Sequence, residues 1–312
     1  MGSYLITGGA GFIGSNLARE LILRGNQVLI IDDLSQGKFE NIPPGANFHH
    51  FNLKERLNFF QLAQNSFDCI FHLAGQSSGE KSFRDPLTDV QSNLVTTYNV
   101  IDLAKEMGVP KVVFASSMAV YGNQADIPLL ETNQAHPRTP YGNHKLASEN
   151  ALRIFSETAE VSVSVARLFN VYGPGQDLSN KYQGMLSIYL GFLLNDETLI
   201  VKGSPERVRD FVYVGDVVNA LMLLSEDTEV AFEILNVCTG RGITVSELIG
   251  MLRLGFPNFS REINYIEGTP GDQFRVVGSP ELFLNKYGWS PSIILEEGIE
   301  ILFSEYGSGR FE

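Results

Sequence analysis

The sequence predicts an α/β protein built on a doubly wound parallel sheet, followed by a smaller mixed α/β domain. Three observations support this class. Short apolar runs alternate with helical stretches in the first half, a glycine-rich turn follows the first run, and the alternation stops near Gly173. Strands that stay apolar along their length are typical of parallel sheets covered by helices on both faces.

The first five strands are predicted from largely apolar runs that are bounded by turn residues. Runs of this kind, rich in Val, Ile and Phe, indicate strands that are buried on both faces. In chain order they read SYLIT, QVLIID, NFHHF, DCIFHLAG and KVVFASS. The sequence between them is helical or turn-forming, which predicts repeated β-α-β units.

Helices are predicted where apolar residues recur with helical spacing. The clearest are Phe12–Arg24 and Pro86–Met107, and the second opens with proline and closes at Gly108. Proline is favoured at the first helical position and glycine just beyond the last one. We also expect helices over Tyr141–Ala159 and Lys181–Asn195.

We expect the chain to divide near Gly173, because the strand-helix rhythm breaks there. Residues 1–173 would form a dinucleotide-binding Rossmann domain, and residues 174–312 the smaller domain that binds the substrate. Residues 210–238 again resemble a helix and a buried strand, so we expect them to pack back on the first domain.

The composition of the 312 residues limits the possible partners. Hydrophobic residues make up 44% of the chain, enough for a large core, and the formal net charge is −13. An acidic chain repels polyanions, so nucleic acid and anionic membrane surfaces are poor partners. With no apolar run of membrane-spanning length, we expect a cytoplasmic protein. Cys69 and Cys238 lie in apolar runs without metal-ligand spacing, which predicts buried residues and no metal site.

A glycine-rich turn links the first strand to the first helix. Gly8, Gly11 and Gly14 recur at the spacing that lets a backbone approach a pyrophosphate closely. The helix that follows points its free N–H groups at the phosphates. The position of this turn, after a strand and before a helix, predicts a dinucleotide site.

The second strand ends at Asp32 and Asp33, where a carboxylate can accept hydrogen bonds from the adenosine ribose. Two carboxylates would repel a 2′-phosphate, so this position favours NAD over NADP. Lys38 is the nearby cation that could weaken this preference. For Asp33, a solvated loop residue is the alternative interpretation.

Three polar residues form a candidate catalytic set. Tyr141 and Lys145 are four residues apart, so they share one helix face. A phenol is a poor base at neutral pH, but a nearby ammonium and an oxidised nicotinamide would lower its pKa and allow it to take a hydroxyl proton. Ser117, at the end of the fifth strand, could hydrogen-bond the reacting oxygen, or it could simply cap a loop.

Six motifs along the chain carry a resemblance to a known family. In order they read GGAGFIG, HLAG, SSMAVYG, YGNHK, ARLFNVYGPGQ and RDFVYVGDV. Together they resemble the extended short-chain dehydrogenase/reductase superfamily, and within it the NAD-dependent nucleotide-sugar epimerases and dehydratases, notably the UDP-glucose and UDP-galactose 4-epimerases. The resemblance extends to WSPSIILEEGIE near the C-terminus.

The resemblance implies a role for each matching residue. The catalytic residues would be Ser117, Tyr141 and Lys145. The residues that contact NAD would be Gly8, Gly11, Phe12, Ile13, Gly14, Asp32, Asp33, Asn52, Leu53, Leu73, Ala74, Gly75, Asn93, Tyr141 and Lys145. The residues that contact the nucleotide-sugar would be Ser117, Met118, Asn170, Arg209, Asp272 and Val276.

Within the implied substrate site, Asn170 and Arg209 match residues at the nucleotide diphosphate, and Asp272 matches a carboxylate near the nucleotide ribose. An ion pair with Asp210 or Asp216 is the alternative role of Arg209. Val276 matches a residue near the 2-substituent of the sugar. Because valine is small, we expect room there for an acetamido group, although an ordinary apolar strand residue is the alternative.

The sequence departs from the family pattern at two binding positions. Thr269 stands where many epimerases have an arginine, so the diphosphate would instead be held by Arg207, Arg275 or Lys202. Asn52 replaces an aspartate at the adenine edge, where an amide can still form hydrogen bonds. Both departures affect which nucleotide is bound.

The residues after Ser117 narrow the reaction. Dehydratases of the family carry an Asp-Glu pair where this chain has Met118 and Ala119, and the related uronate decarboxylases carry a glutamate at the Ala119 position. The remaining reaction is 4-epimerisation, through transient oxidation to a 4-keto sugar and re-reduction on the other face. A UDP-hexose or UDP-N-acetylhexosamine is the favoured substrate.

Two other functions remain possible from the sequence, and a homodimer is expected. The first alternative is a nucleotide-sugar reductase or an epimerase acting at another carbon, and the second is a non-catalytic NAD-binding regulator. Because relatives commonly dimerise through two long helices, the resemblance implies a homodimer through Pro86–Met107 and Tyr141–Ala159.

Overall fold

The strands and helices were assigned in a computed structural model that describes residues 1–56, 66–125, 127–159, 161–182 and 184–307. The strands are β1 Ser3–Thr7, β2 Gln27–Asp32, β3 Asn47–His50, β4 Cys69–His72, β5 Lys111–Ser117, β6 Ser162–Leu168, β7 Asn170–Tyr172, β8 Leu199–Lys202, β9 Val208–Tyr213, β10 Phe232–Val237, β11 Gly242–Thr244, β12 Ile263–Ile266 and β13 Arg275–Val276. The helices are α1 Phe12–Leu23, α2 Gly79–Arg84, α3 Pro86–Val90, α4 Thr96–Glu106, α5 Pro140–Ala159, α6 Met185–Leu194, α7 Val214–Glu226, α8 Val245–Leu254, α9 Glu281–Tyr287 and α10 Leu295–Tyr306.

A seven-stranded sheet forms the centre of the molecule, in the order β10-β6-β5-β4-β1-β2-β3. Every neighbouring pair in it is parallel. The strand order reverses direction between β1 and β4, and ligands bind at the carboxyl ends of strands beside such a point. The predicted doubly wound sheet is therefore confirmed.

The predicted elements differ from the observed ones mainly at their ends. DCIFHLAG leaves the sheet after His72, because the chain turns at Gly75 with φ of +154°. Pro86–Met107 is one helical stretch, but a π-helical turn over 91–95 separates α3 from α4. The helix predicted over Lys181–Asn195 begins only at Met185, after Gly184 with φ of +80°. Residue 183 lies outside the described residues.

The remaining strands form two small sheets beside the large one. One contains β11, β9 and β13, with β7 paired to β9, and the other pairs β12 with β8. The segment 210–238 contributes α7, which packs on α1, and β10, which pairs with β6 at the edge of the large sheet. The smaller mixed α/β part is thus present, whereas the division at Gly173 stays a prediction.

The hydrophobic cores follow these layers. One lies between the large sheet and helices α1 and α7, one between the opposite sheet face and helices α4 and α5, and one among α6, α8 and α10. Cys69 and Cys238 are both buried and reduced, as predicted. Across the described ranges, no helix combines the length and the apolar character that crossing a membrane requires.

Candidate active site

A cavity of about 1170 Å³ lies along the carboxyl ends of the central strands. It follows the edge at which β1 and β4 are neighbours and reaches β7 and the start of α6. Most of the predicted site residues line it: Gly8, Gly11, Phe12, Ile13, Gly14, Asp32, Asp33, Asn52, Leu53, Leu73, Ala74, Gly75, Ser117, Met118, Tyr141, Lys145 and Asn170. Their roles as ligand contacts remain predictions.

The glycine-rich turn is packed so closely that side chains would not fit. A Cβ on Gly8, whose φ is +73°, would lie 2.7 Å from the backbone nitrogen of Ala74. A Cβ on Gly14 would lie 2.3 Å from the carbonyl oxygen of Gly8. Helix α1 starts at Phe12, so its unpaired N–H groups face the cavity beside this turn. The turn therefore fits a dinucleotide pyrophosphate.

Asp32 connects the glycine-rich turn to the end of β2. Its carboxylate accepts hydrogen bonds from the backbone N–H of Ala10 at 3.0 Å and of Leu34 at 2.8 Å. Burial raises the pKa of this carboxyl, while these two N–H groups lower it. Lys38 lies 3.3 Å from the carboxylate of Asp177. This pairing reduces the positive charge that Lys38 could offer to a 2′-phosphate.

Tyr141, Lys145 and Ser117 are brought together on the sheet side of the cavity. Tyr141 and Lys145 lie one turn apart on α5, and Ser117 ends β5. Ser117 and Tyr141 both line the cavity. The Nζ of Lys145 donates to the carbonyl oxygen of Ala115 at 2.9 Å. The site thus contains a proton carrier, a hydroxyl donor and an ammonium.

Burial is the main influence on the pKa values of Tyr141 and Lys145. Burial raises the pKa of Tyr141 to about 12, although the hydrogen bond from Ser117 lowers it. Burial also lowers the pKa of Lys145 to about 8. Without a bound nicotinamide, desolvation therefore keeps the Tyr141 phenol protonated at neutral pH, and the lowering of its pKa by oxidised nicotinamide and the Lys145 ammonium stays a prediction.

A buried ion pair fixes the catalytic helix to the sheet. The guanidinium of Arg167, on β6, lies 2.7 Å from the carboxylate of Glu149, on α5. Glu149 also accepts a hydrogen bond of 2.5 Å from the hydroxyl of Ser116. Since Glu149 is one turn after Lys145 and Ser116 precedes Ser117, the pair fixes the elements that carry both catalytic residues.

Arg209 and Asp272, which are predicted substrate contacts, do not line the cavity and are paired with each other. Their nearest N–O distance is 2.7 Å, and the guanidinium of Arg207 also contacts Asp272. The alternative partners of Arg209 are engaged elsewhere: Asp210 accepts from Thr239 and Gly240, and Asp216 accepts from Ser292 and Ile293.

The expectation for Val276 disagrees with its placement. Its side chain is fully buried and packs in a cluster of apolar residues instead of lining the cavity. The cluster contains Val120, Tyr121, Leu129, Phe169 and Cys238, with Met118 packed against it. Pairing of β13 with β9 places this side chain in the core. The structure therefore favours the alternative interpretation, an apolar strand residue.

Several contacts near the cavity rim, between charged and aromatic side chains, were not predicted from the sequence. Two cations lie over the ring of Tyr182 at the rim. The Nζ of Lys81 is 5.2 Å from the ring centroid, and the guanidinium carbon of Arg84 is 5.5 Å from it. Nearby, the Nζ of Lys202 lies 2.6 Å from the carboxylate of Glu80. These contacts join α2 to β8 and to the segment before α6, which local patterns cannot predict.

Asp89 and His144 form a second contact that the sequence analysis missed. The Nδ1 of His144 lies 2.5 Å from the carboxylate of Asp89, across 55 positions of the chain. The only sequence hint is that His144 lies between Tyr141 and Lys145. In the part of the chain that the structure describes, no cluster of His, Cys, Asp or Glu could hold a metal ion.

The sequence is similar to a family of NAD-dependent enzymes and to a curated member of it. The family model described as "NAD dependent epimerase/dehydratase family" matches residues 4–238. A "Putative UDP-glucose 4-epimerase" of Methanocaldococcus jannaschii is 33% identical over 306 residues, covering 95% of both chains.

Two solved structures are similar over almost their whole length. The UDP-glucose 4-epimerase of Thermotoga maritima with UDP-glucose has a TM-score of 0.90 and 34% identity, and the match covers 97% of this chain and 98% of that one. The UDP-glucose 4-epimerase of Thermus thermophilus in complex with NAD has a TM-score of 0.90 and 32% identity, with the same coverage.

Proposed function

Because this chain belongs to the NAD dependent epimerase/dehydratase family, we propose that it is an NAD-dependent UDP-sugar 4-epimerase. One observation carries the proposal: Ser117, Tyr141 and Lys145 meet in the same cavity as the glycine-rich turn. Met118 and Ala119, which follow Ser117, have no group that exchanges protons. The similar UDP-glucose 4-epimerases support the same reaction and a UDP-sugar substrate.

The side chains of the site fit a cycle that returns to its starting state. The glycine-rich turn and Asp32 would hold NAD, which would supply an acceptor and donor of the hydride at C4 of the sugar. Tyr141 takes the proton of the 4-hydroxyl in the first half and returns it to the keto oxygen in the second. Ser117 hydrogen-bonds that oxygen, and the Lys145 ammonium stabilises the phenolate. The 4-keto sugar must rotate between the two halves.

The proposal is tested by product analysis. The protein is incubated with NAD and separately with UDP-, dTDP-, GDP- and CDP-sugars, and C4 isomers are separated by chromatography. We expect isomers of UDP-glucose or UDP-N-acetylglucosamine without net change in reduced cofactor. Consumption of reduced cofactor would indicate a reductase, and binding of NAD without any product would indicate a regulator.

For the diphosphate, we propose that Arg207 acts together with Arg209. Arg207 and Arg209 are both buried and share the single carboxylate of Asp272, so the cluster has an excess positive charge. Arg209 lies two residues before Phe211, which lines the cavity, so both point to the same face of β9. Of the other two candidates, Arg275 is exposed and Lys202 is paired with Glu80.

Replacing Arg207 with glutamine should weaken UDP binding by about 10- to 100-fold, because charge-assisted hydrogen bonds contribute about 1.5–3 kcal/mol. Uridine has no phosphate, so its affinity should stay the same. Calorimetry with both ligands measures this, and Arg275→Gln is the matched control. Equal losses for UDP and uridine would show that Arg207 only maintains the fold of the site.

The buried placement of Val276 predicts a role in stability, whereas the sequence analysis predicted a role in sugar selectivity. Val276→Ala removes buried methyl groups, so it should lower the free energy of unfolding by about 2 kcal/mol. It should leave unchanged the ratio of kcat/KM for UDP-glucose to that for UDP-N-acetylglucosamine. Chemical denaturation and steady-state kinetics test the two parts. A changed ratio would restore Val276 as a selectivity residue.

We also propose a homodimer through α3, α4 and α5. Leu87, Tyr98 and Ile154 lie on these helices, and their side chains are exposed by 73%, 55% and 55%. Exposed apolar side chains on neighbouring helices are typical of protein interfaces. Sedimentation velocity measures the assembly. A cytoplasmic location stays a prediction of the sequence.

A further inference from the structure

Asp89, on α3, has a carboxylate that is almost fully buried at the edge of the cavity. One oxygen accepts hydrogen bonds from the Nε2 of Gln76 at 2.6 Å and the Nδ2 of Asn93 at 3.2 Å. The other oxygen lies 2.5 Å from the Nδ1 of His144. A buried carboxylate with this many partners links every segment that carries them.

Three segments meet at this carboxylate. Gln76 belongs to the turn after β4, whose residues Leu73, Ala74 and Gly75 line the cavity. Asn93 lies in the π-helical turn, and His144 immediately precedes Lys145 on α5. The turn that faces the proposed cofactor site is therefore connected to the catalytic helix through one side chain.

The space between Asp89 and the catalytic set is narrow and polar. The Oδ1 of Asn93 is buried and has no hydrogen-bond partner among the described residues. A Cβ on Gly75 would lie 2.6 Å from that oxygen and 3.5 Å from the Nζ of Lys145. Gly75, in the turn that Gln76 connects to Asp89, is therefore packed against both Asn93 and the Lys145 ammonium.

The charges around Lys145 come from few groups. Asp89 on α3 and Glu149 on α5 raise the pKa of Lys145, against the larger lowering by burial. Asp89 also raises the pKa of Tyr141, after the larger effect of burial. From β4, His72 has its pKa lowered to about 3, by burial and then by Lys145, so it is neutral.

We propose that Asp89 is a positioning residue of the active site, which holds the turn after β4 against the catalytic helix through His144 and keeps a negative charge beside Lys145. The inference extends the proposed function, since the charge acts on the proposed proton carrier. Asp89 would act in two ways, through its contact with His144 and through its negative charge. Different substitutions remove the contact and the charge.

Asp89→Asn tests the charge, because asparagine keeps the shape and can still hydrogen-bond Gln76 and His144. Removing the negative charge lets the pKa values of Lys145 and Tyr141 fall, so the pH profile of kcat should move to lower pH. We expect KM for UDP-glucose to stay within about threefold, because the group does not bind substrate. If the pH profile of kcat for Asp89→Asn stays at its wild-type position, the proposed effect of the Asp89 charge is wrong.

His144→Leu tests the contact, because it leaves the Asp89 charge but removes the hydrogen bond. It should lower kcat by about 10-fold through misplacement of the catalytic helix. It should also raise hydrogen-deuterium exchange in the turn of residues 73–78. His144→Asn, which keeps an N–H donor, should restore both. If hydrogen-deuterium exchange of residues 73–78 in His144→Leu equals that of the wild type, the proposed positioning role of the contact is wrong.

Controls separate this inference from the proposed function. Asp102→Asn alters an exposed carboxylate on α4, 3.6 Å from Arg56, and should change neither exchange nor the pH profile. Thermal melting and NAD binding verify that each variant is folded. If the wild type forms no C4 isomer but His144→Leu still raises exchange in the turn, the contact is supported and the proposed function is wrong.

Discussion

Replacing Tyr141 with phenylalanine is expected to lower kcat by about 10²- to 10⁴-fold, the usual contribution of a general acid-base group. The phenol is the proton carrier of the proposed cycle, and Tyr141 lines the cavity together with Ser117. Phenylalanine has nearly the same shape, so the affinity for NAD and UDP should change little. The loss should therefore appear in kcat and not in KM.

The chain offers a matched control for deleting a buried phenol hydroxyl. The hydroxyl of Tyr172 is buried and has no hydrogen-bond partner within the described residues. Tyr172→Phe should leave kcat unchanged and maintain or increase stability, because an unpaired buried hydroxyl is unfavourable. Rapid-quench product analysis compares the two variants with the wild type. Turnover of Tyr141→Phe within tenfold of the wild type would falsify the assignment.

NAD should bind at least about 100-fold more tightly than NADP, since placing like charges together costs several kcal/mol. Asp32 and Asp33 line the cavity at the end of β2, where the ribose of a bound dinucleotide is expected. Lys38 offers little compensation because its side chain is exposed to screening solvent and the Asp177 carboxylate, 3.3 Å away, offsets its charge. A 2′-phosphate would therefore meet two carboxylates.

Asp32→Asn should reduce this preference, whereas Asp33→Asn should reduce it less. Asp32 is largely buried and positioned by the N–H groups of Ala10 and Leu34, while Asp33 is partly exposed and solvent screens its charge. Asparagine keeps the oxygen that accepts one of these hydrogen bonds, so the turn should be preserved. Calorimetry with both dinucleotides measures the ratios. Equal affinity of the wild type for NAD and NADP would contradict the proposal.

Local patterns in the sequence predicted most strands of the central sheet, and most of the predicted site residues line the cavity. The strands are apolar because helices cover both faces of the sheet, so their residues repeat a simple signal. The glycine-rich turn was also predictable, because close backbone packing excludes every side chain at Gly14. Tyr141 and Lys145 share a helix face, so their spacing alone brings them together.

What the sequence could not predict depends on contacts between distant segments. Arg207 and Asp272 are 65 positions apart, and their contact forms only when β13 pairs with β9. Val276 was assigned to the sugar pocket by counting from Asp272, but the same pairing places its side chain in a core. The burial that raises the pKa of Tyr141 is likewise a property of the whole fold, and the lowering of this pKa by a bound oxidised nicotinamide stays a prediction.

The contacts across the cavity rim have a consequence for the exchange of ligands. Lys38 and Asp177 form an exposed ion pair, and Lys202 and Glu80 form a part-buried one nearby. An exposed pair contributes about 0–1 kcal/mol, and salt weakens both pairs. Opening the rim therefore requires little free energy, whereas the close-packed turn at Gly8 and Gly14 is rigid. We therefore expect a nucleotide-sugar product near the rim to exchange many times while one dinucleotide stays bound. The rate of product release should increase with ionic strength, and the rate of cofactor release should not.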